Sequence, residues 1–286
     1  MTRASVEDLI RLLQLERLEI NLFRGESRDI GSPQVFGGQV LGQALMAACR
    51  TVAPERHVHS LHSYFLRRGD FNAPIVYEVD RSRDGGSFTN RRVVAIQHGQ
   101  QIFHLSASFQ VEEEGPDHQA APPDVPPPDD LPDLGAVIRA HLSEIPESRR
   151  RFWELDRPFE FRSVESPADG SPRAAVRNVW FRFAGRCIED DSMHRCLLAY
   201  VSDFNLLETA TLPHGFSFTH SDKVLMASLD HAMWFHRPFR IDDWLLYATI
   251  SPSSNGARGM AFGRIFDRAG RLVASTAQEG LMRVIA

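Results

Sequence analysis

Moving the chain along itself by 170 residues lays Phe65 on Phe235, Arg67 on Arg237, Tyr77 on Tyr247, Gly86 on Gly256 and Ala107 on Ala277. The identities fall at positions with matching parts. An aromatic-Phe-x-Arg run closes a first strand, a tyrosine sits in the second, a glycine makes the turn and an alanine lies in the last. Such self-similarity points to two copies of one supersecondary unit.

The unit can be read from periodicity. Residues 37–48, Gly37-Gly38-Gln39-Val40-Leu41-Gly42-Gln43-Ala44-Leu45-Met46-Ala47-Ala48, are apolar nearly all round and predict a helix buried on most sides. Strand patterns follow over 57–67, 74–83, 88–97 and 101–111, separated by Gly69-Asp70, Asp84-Gly85-Gly86 and His98-Gly99, which is hairpin chemistry. Ser5 with Asp8 predicts a capped helix before this unit, and 18–23 alternates like a strand. The second unit has strands near 159–164, 173–183, 224–237, 243–250, 258–267 and 271–284, with a helix over 192–207. Between the units, Pro122-Pro123 and Pro126-Pro127-Pro128 with clustered acids form an extended linker, followed by a short helix near 134–144. The expected organisation is therefore 1–112, a proline-rich acidic linker over 113–145, and 146–286.

Composition narrows the function. With 286 residues, 43% hydrophobic and 24% charged, the chain is long enough for a large core. A net charge of -5 gives no basic surplus to wrap nucleic acid. Cys49, Cys187 and Cys196 have no metal-ribbon or disulfide spacing, which suits a reducing cytoplasm. No signal peptide is visible at Met1–Ser5, no run approaches the roughly 18 apolar residues that span a bilayer, and Arg283-Val284-Ile285-Ala286 is no peroxisomal address, so no stable membrane association is expected.

A duplicated fold also filters for chemistry, because residues needed only for packing should recur in both copies. The stretch Met226–Pro238, taken as one strand, sets Ser228, Asp230, Ala232 and Trp234 on one face and Leu229, His231, Met233 and Phe235 on the other. Both faces mix polar with apolar groups, as a strand lining a site does. In the 170 register Ser228 stands opposite Val58 and Gln278 opposite Ser108. The first helix region has no acid between Asp29 and Glu55, whereas Asp203 interrupts the apolar run 197–207. It either meets a capped or solvated need or acts as a general base under partial burial.

The stretches Ala199–Asn205, Ser228–Pro238, Asp243–Tyr247, Ala257-Arg258-Gly259 and Val273–Gly280 resemble the acyl-CoA thioesterase II family, as do Val35–Gln39 and His59–Arg67. The resemblance spans nearly the whole chain and is weakest in the linker. It implies an α+β double hotdog fold, in which each repeat wraps a curved antiparallel sheet around a long helix. The implied activity is hydrolysis of acyl-CoA to fatty acid and coenzyme A. By motif match the family's catalytic Asp, Thr or Ser, and Gln fall on Asp203, Ser228 and Gln278. Ser228 keeps the hydroxyl of the threonine many members carry, but loses the methyl that restricts its rotamer.

The expected mechanism is direct attack by water, with Asp203 as base, Ser228 and Gln278 holding the water, and a backbone N–H at a helix start receiving the oxyanion. A covalent step is not expected, since Ser228 lacks the G-x-S-x-G elbow. Arg258 and Arg264 are candidate phosphate contacts. Phe204, Met233 and Trp234 are candidates to line an acyl tunnel, although core packing would explain them equally. No cofactor or metal is expected: His57 and His59 lie two apart on one strand face, but no nearby carboxylate or cysteine completes a ligand set. Asp230 is the rival base. Other readings are an enoyl-thioester hydratase or dehydratase, which needs an Asp–His pair, and a non-catalytic acyl-CoA sensor. No histidine shares the Asp203 helix face, His194 being nine residues away. A homo-oligomer is expected, with aromatic density near 153–161 and 180–183 as the candidate contact.

Overall fold

The alternating segments fold into antiparallel strands of one continuous sheet in the computed structural model, which describes residues 3–166, 170–186, 190–216 and 223–285. The first repeat contains α1 (Arg3–Leu13), β1 (Glu16–Glu19), β2 (Leu22–Gly25), α2 (Gly37–Cys49), β3 (Arg56–Phe65), β4 (Ile75–Asp84), β5 (Phe88–Gln97) and β6 (Gln100–Val111). Two short helices, α3 (Leu134–Ala140) and α4 (Glu147–Glu154), lead to the second. Its elements are β7 (Phe159–Ser163), β8 (Val176–Phe183), α5 (Asp191–Ser202), β9 (Val224–Ser228), β10 (Asp230–Phe235), β11 (Leu245–Asn255), β12 (Arg258–Asp267) and β13 (Leu272–Val284). The strand order is β1-β2-β4-β5-β6-β3-β10-β13-β12-β11-β8-β7, with β9 also on β13. The repeats fuse where β3 and β10 pair, Trp234 opposite Ser60 and Asp230 opposite Tyr64.

The two long helices lie together inside the curve of the sheet. Residues 38–48 of α2 are all buried, as are residues 193–202 of α5. Glycine in a helix costs about 1 kcal/mol against alanine, yet α2 keeps Gly38 and Gly42 one turn apart. A Cβ on Gly38 would stand 2.2 Å from the Tyr200 carbonyl oxygen, and one on Gly42 3.1 Å from that of Cys196. The glycines let the helix backbones approach, and burying Val40, Leu41, Leu45 and Met46 at about 1.5–3 kcal/mol each outweighs their cost.

Two expectations change. The helix expected over 192–207 ends at Ser202, with Asp203 as its C-cap and Asn205 in the left-handed region at φ 66°. A 3-10 helix, Leu207–His214, follows. The proline-rich linker is not a free spacer. Trp180 Nε1 donates to the Pro126 carbonyl, Arg162 to those of Pro128 and Leu131, and Val125 and Leu131 cover Trp180, Trp244, Leu246 and Phe266. The aromatic residues near 153–161 and 180–183 are thus covered in large part by the chain itself, which corrects their reading as a partner surface. Cys187 lies outside the described residues.

Candidate active site

The site is set by a β-bulge. Ser228 pairs with Gly280, and Ala232 with Ala277, so one extra residue, Leu229, interrupts the strand. Its N–H donates to the Glu279 carbonyl while its own carbonyl accepts from Phe65 N–H. A bulge shifts the alternation by one. Ser228 therefore shares the helix-facing side with His231, Met233 and Phe235, and Asp230, Ala232 and Trp234 face outward. The single uninterrupted strand expected over 224–237 would have placed Ser228 with Asp230. The rival base is thereby separated from Ser228: Asp230 accepts from the Glu279 N–H at 2.6 Å, and burial raises its pKa against that bond.

On the inner side, Asp203 Oδ1 accepts from Gln278 Nε2 at 2.7 Å and from Ser228 Oγ at 3.4 Å. Three elements supply these groups: the end of α5, the bulge and the middle of β13. The first repeat supplies a fourth. A Cβ on Gly37, the first residue of α2, would lie 2.7 Å from Asp203 Oδ2, so the carboxylate sits against the positive end of the α2 dipole. Gln278 is fully buried, and its Oε1 has no hydrogen-bond partner among the described residues. Leaving a buried acceptor unpaired costs about 1–3 kcal/mol, which marks Oε1 as an atom that a further donor completes.

Behind Gln278 lies His231, fully buried. Gln278 Nε2 is 3.2 Å from His231 Nδ1, and Ser202 Oγ is 3.0 Å from His231 Nε2. Burial lowers the His231 pKa to about 4, with the Asp203 charge acting the other way. The ring is therefore neutral at neutral pH. Ser202 Oγ donates to the Ala199 carbonyl, Tyr247 Oη donates to the Ser202 carbonyl, and Ser63 Oγ donates to the His231 carbonyl, so the layer is tied down on every side.

The bulge recurs in the first repeat. Val58 pairs with Phe109 and Ser60 with Ser108, leaving His59 as the extra residue, 170 positions before Leu229. The last strand obeys a different offset: Arg91 pairs with Ala107 where Ala261 pairs with Gln278. Counted between the residues that close each turn, Asp267 with Arg271 and Gln97 with Gln100, the β12–β13 turn holds three residues, Arg268-Ala269-Gly270, where the β5–β6 turn holds two, His98-Gly99. Gln278 therefore stands where the first repeat has Ala107, not Ser108. Ser228, His231 and Gln278 replace Val58, Leu61 and Ala107 on identical scaffolding. Neither His231 nor Gly37 stands out from motif and helix spacing, because the histidine comes to Asp203 from a strand and the glycine from the other repeat. For His231 the signal present in the sequence is its position opposite Leu61 in the 170 register.

The remaining candidates are dispersed. Phe204 adjoins Asp203 and packs on Phe36, ring centroids 4.3 Å apart. Met233 is completely buried in the core, Trp234 lies on the outer face with its ring edge-on to His62, and neither lines the cavity beside Phe204. Arg264 also faces outward, beside Phe266. Arg258 sits at the β11–β12 hairpin, paired with Glu279 at 2.9 Å. His57 Nδ1 contacts Asp191 at 2.9 Å and His59 Nε2 contacts Ser108 at 2.9 Å, so a carboxylate distant in sequence does meet His57.

Comparison with known proteins gives the family and the fold. Residues 149–281 match the family model for acyl-CoA thioesterase, and residues 24–110 that for the acyl-CoA thioesterase N-terminal domain. Acyl-CoA thioesterase 2 of Haemophilus influenzae is 42% identical over 280 residues, covering 97% of this chain and 98% of that protein. Human acyl-coenzyme A thioesterase 8 is 43% identical over 284 residues, covering 96% and 88%. A crystal structure of an acyl-CoA thioesterase II from Mycobacterium marinum superimposes with a TM-score of 0.79 at 43% identity, covering 97% and 99%. A hot dog protein from Alicyclobacillus acidocaldarius shares the fold at a TM-score of 0.78 and 20% identity.

Proposed function

The chain belongs to the acyl-CoA thioesterase II family, and from that premise we propose that Asp203, Ser228 and Gln278 hydrolyse the thioester by direct attack of water. The fold is a double hotdog and the activity is that of an acyl-CoA thioesterase. One observation carries the assignment of residues. Asp203 Oδ1 is occupied by Gln278 and Ser228, while Asp203 Oδ2 and Gln278 Oε1 take no hydrogen bond among the described residues.

Two unused acceptors on two side chains already joined by a hydrogen bond suit a water molecule with two protons to give. Asp203 Oδ2 takes one as the oxygen attacks the carbonyl, and Gln278 Oε1 holds the other in line. Ser228, at a longer distance, steers rather than anchors. The carbonyl oxygen becomes negative and is received at the start of α2, where the Gly37 and Gly38 N–H groups have no acceptor within the helix. Collapse of the tetrahedral adduct expels the coenzyme A thiolate, to which the Asp203 proton returns. The site thus lies between repeats: 146–286 carries the acid and amide, and 1–112 carries the oxyanion donors.

The acyl chain is assigned to the side of Phe204, where a cavity of about 110 Å³ is lined by Leu9, Leu12, Phe159, Phe161 and Tyr200. Arg258, at the hairpin level with Ser228 through Gly280, remains the proposed phosphate contact. The hydratase reading is disfavoured by His231: both ring nitrogens are engaged, leaving none to pass a proton to substrate. Copies are proposed to associate through the outer face of the central strands, where Tyr64, Leu66 and Phe262 are 54%, 45% and 42% exposed. A reducing, cytoplasmic setting stays part of the proposal. Among the described residues no helix is long and apolar enough to cross a membrane.

The test is release of coenzyme A thiol from short to long acyl-CoAs. Asp203→Ala should lower kcat by about three orders of magnitude and Gln278→Ala by about two, with both variants folded. Turnover unchanged in Asp203→Ala would refute the assignment.

A further inference from the structure

We infer that His231 is a positioning residue that keeps the Gln278 amide turned with its oxygen free for the attacking water. This rests on the reading of Gln278 as a water ligand.

The bonding pattern fixes each proton. Ser202 Oγ spends its hydrogen on the Ala199 carbonyl, so toward His231 Nε2 it accepts. A neutral imidazole that donates from Nε2 presents an unprotonated Nδ1. That nitrogen accepts from Gln278 Nε2, whose other hydrogen goes to Asp203 Oδ1. Both amide hydrogens are then committed, and Oε1 is the atom left over.

Asp203 alone would hold the amide this way only while it is charged. Once it has taken the proton of the water, an acid can donate as well as accept, and its grip on the amide orientation is lost. His231 supplies an acceptor that does not change during the step. The internal repeat gives independent support: Leu61 occupies the equivalent place in the first repeat, on the same bulged scaffold, where Ala107 replaces the glutamine. The fold does not need a histidine there; the half with the carboxylate and amide has one.

The decisive measurement is a double-mutant cycle on kcat with the acyl-CoA that the wild type turns over fastest. His231→Leu, which copies Leu61 of the first repeat, should lower kcat about 10- to 100-fold and change KM less than about 3-fold. His231→Asn should recover activity to within about 5-fold of wild type, because its side-chain oxygen stands in for Nδ1. In the Gln278→Ala background, His231→Leu should cost nothing further. Ser202→Ala, which leaves the ring but releases its tautomer, should lower kcat several-fold in wild type and not in Gln278→Ala. Equal losses in both backgrounds, or no rescue by asparagine, would overturn the inference and make His231 a packing residue. If Gln278→Ala is itself fully active, the failure belongs to the catalytic assignment instead.

Discussion

Around the carboxylate, tenths of an ångström separate tolerated from damaging substitutions. A methyl at Gly37 would come within 2.7 Å of Asp203 Oδ2 and 3.0 Å of the Phe65 ring. The carboxylate can rotate away, so Gly37→Ala should leave the thermal midpoint within a few degrees while lowering kcat about 10-fold or more. Unchanged kcat would show that Asp203 does not need its seat at the α2 start. Ser228 sits at the long end of hydrogen-bond distance and Gln278 at the short end, 3.4 against 2.7 Å. Ser228→Ala should therefore cost less than Gln278→Ala, and Ser228→Thr should keep activity within a few-fold.

At the level of elements, the bulge and the helix contact do different work. Deleting Leu229 would remove the extra residue and turn Ser228 to the outer face. Activity should fall by at least two orders of magnitude, while circular dichroism still reports the sheet. Gly38 is tighter than Gly37 and faces backbone, the Tyr200 carbonyl at 2.2 Å, which cannot swing aside. Gly38→Ala should push α2 from α5, destabilise the fold by about 2 kcal/mol or more, and lower the midpoint of thermal unfolding by several degrees. A midpoint equal to wild type would mean that the helices have slack at this crossing.

For the whole molecule, the buried histidine links stability to pH. His231 binds its proton at about 4 in the folded chain and near 6.5 when unfolded. The unfolded state thus takes up more protons between these values. Stability is complete above pH 6.5 and falls toward pH 4, by about 3 kcal/mol for this group. Asp203, at the end of α5, opposes the shift, and His194, lowered mainly by burial, adds to the fall. Unfolding midpoints from pH 7 to 4 should drop less steeply in His231→Leu than in wild type; parallel curves would deny the linkage. Outer-face association belongs to this scale too. Tyr64→Glu with Phe262→Glu should shift sedimentation toward the monomer without loss of the fold.

The sequence by itself determined the duplicated plan, the positions of most strands and the buried helix at 37–48, all from local chemistry: alternation, turn residues and an unbroken apolar run. It pointed to Asp203, Ser228 and Gln278 through resemblance to the family, since the 170 register sets Gln278 opposite a serine. The tertiary structure decided what depends on registry. A bulge present in both repeats and one extra residue in a turn of the second each move a side chain to the opposite face of a sheet. That reversal sent Asp230 and Trp234 outward, set Gln278 against Ala107, and brought His231 and the α2 start to the carboxylate. Pairing between distant strands fixes such registry, and no local window of sequence contains it.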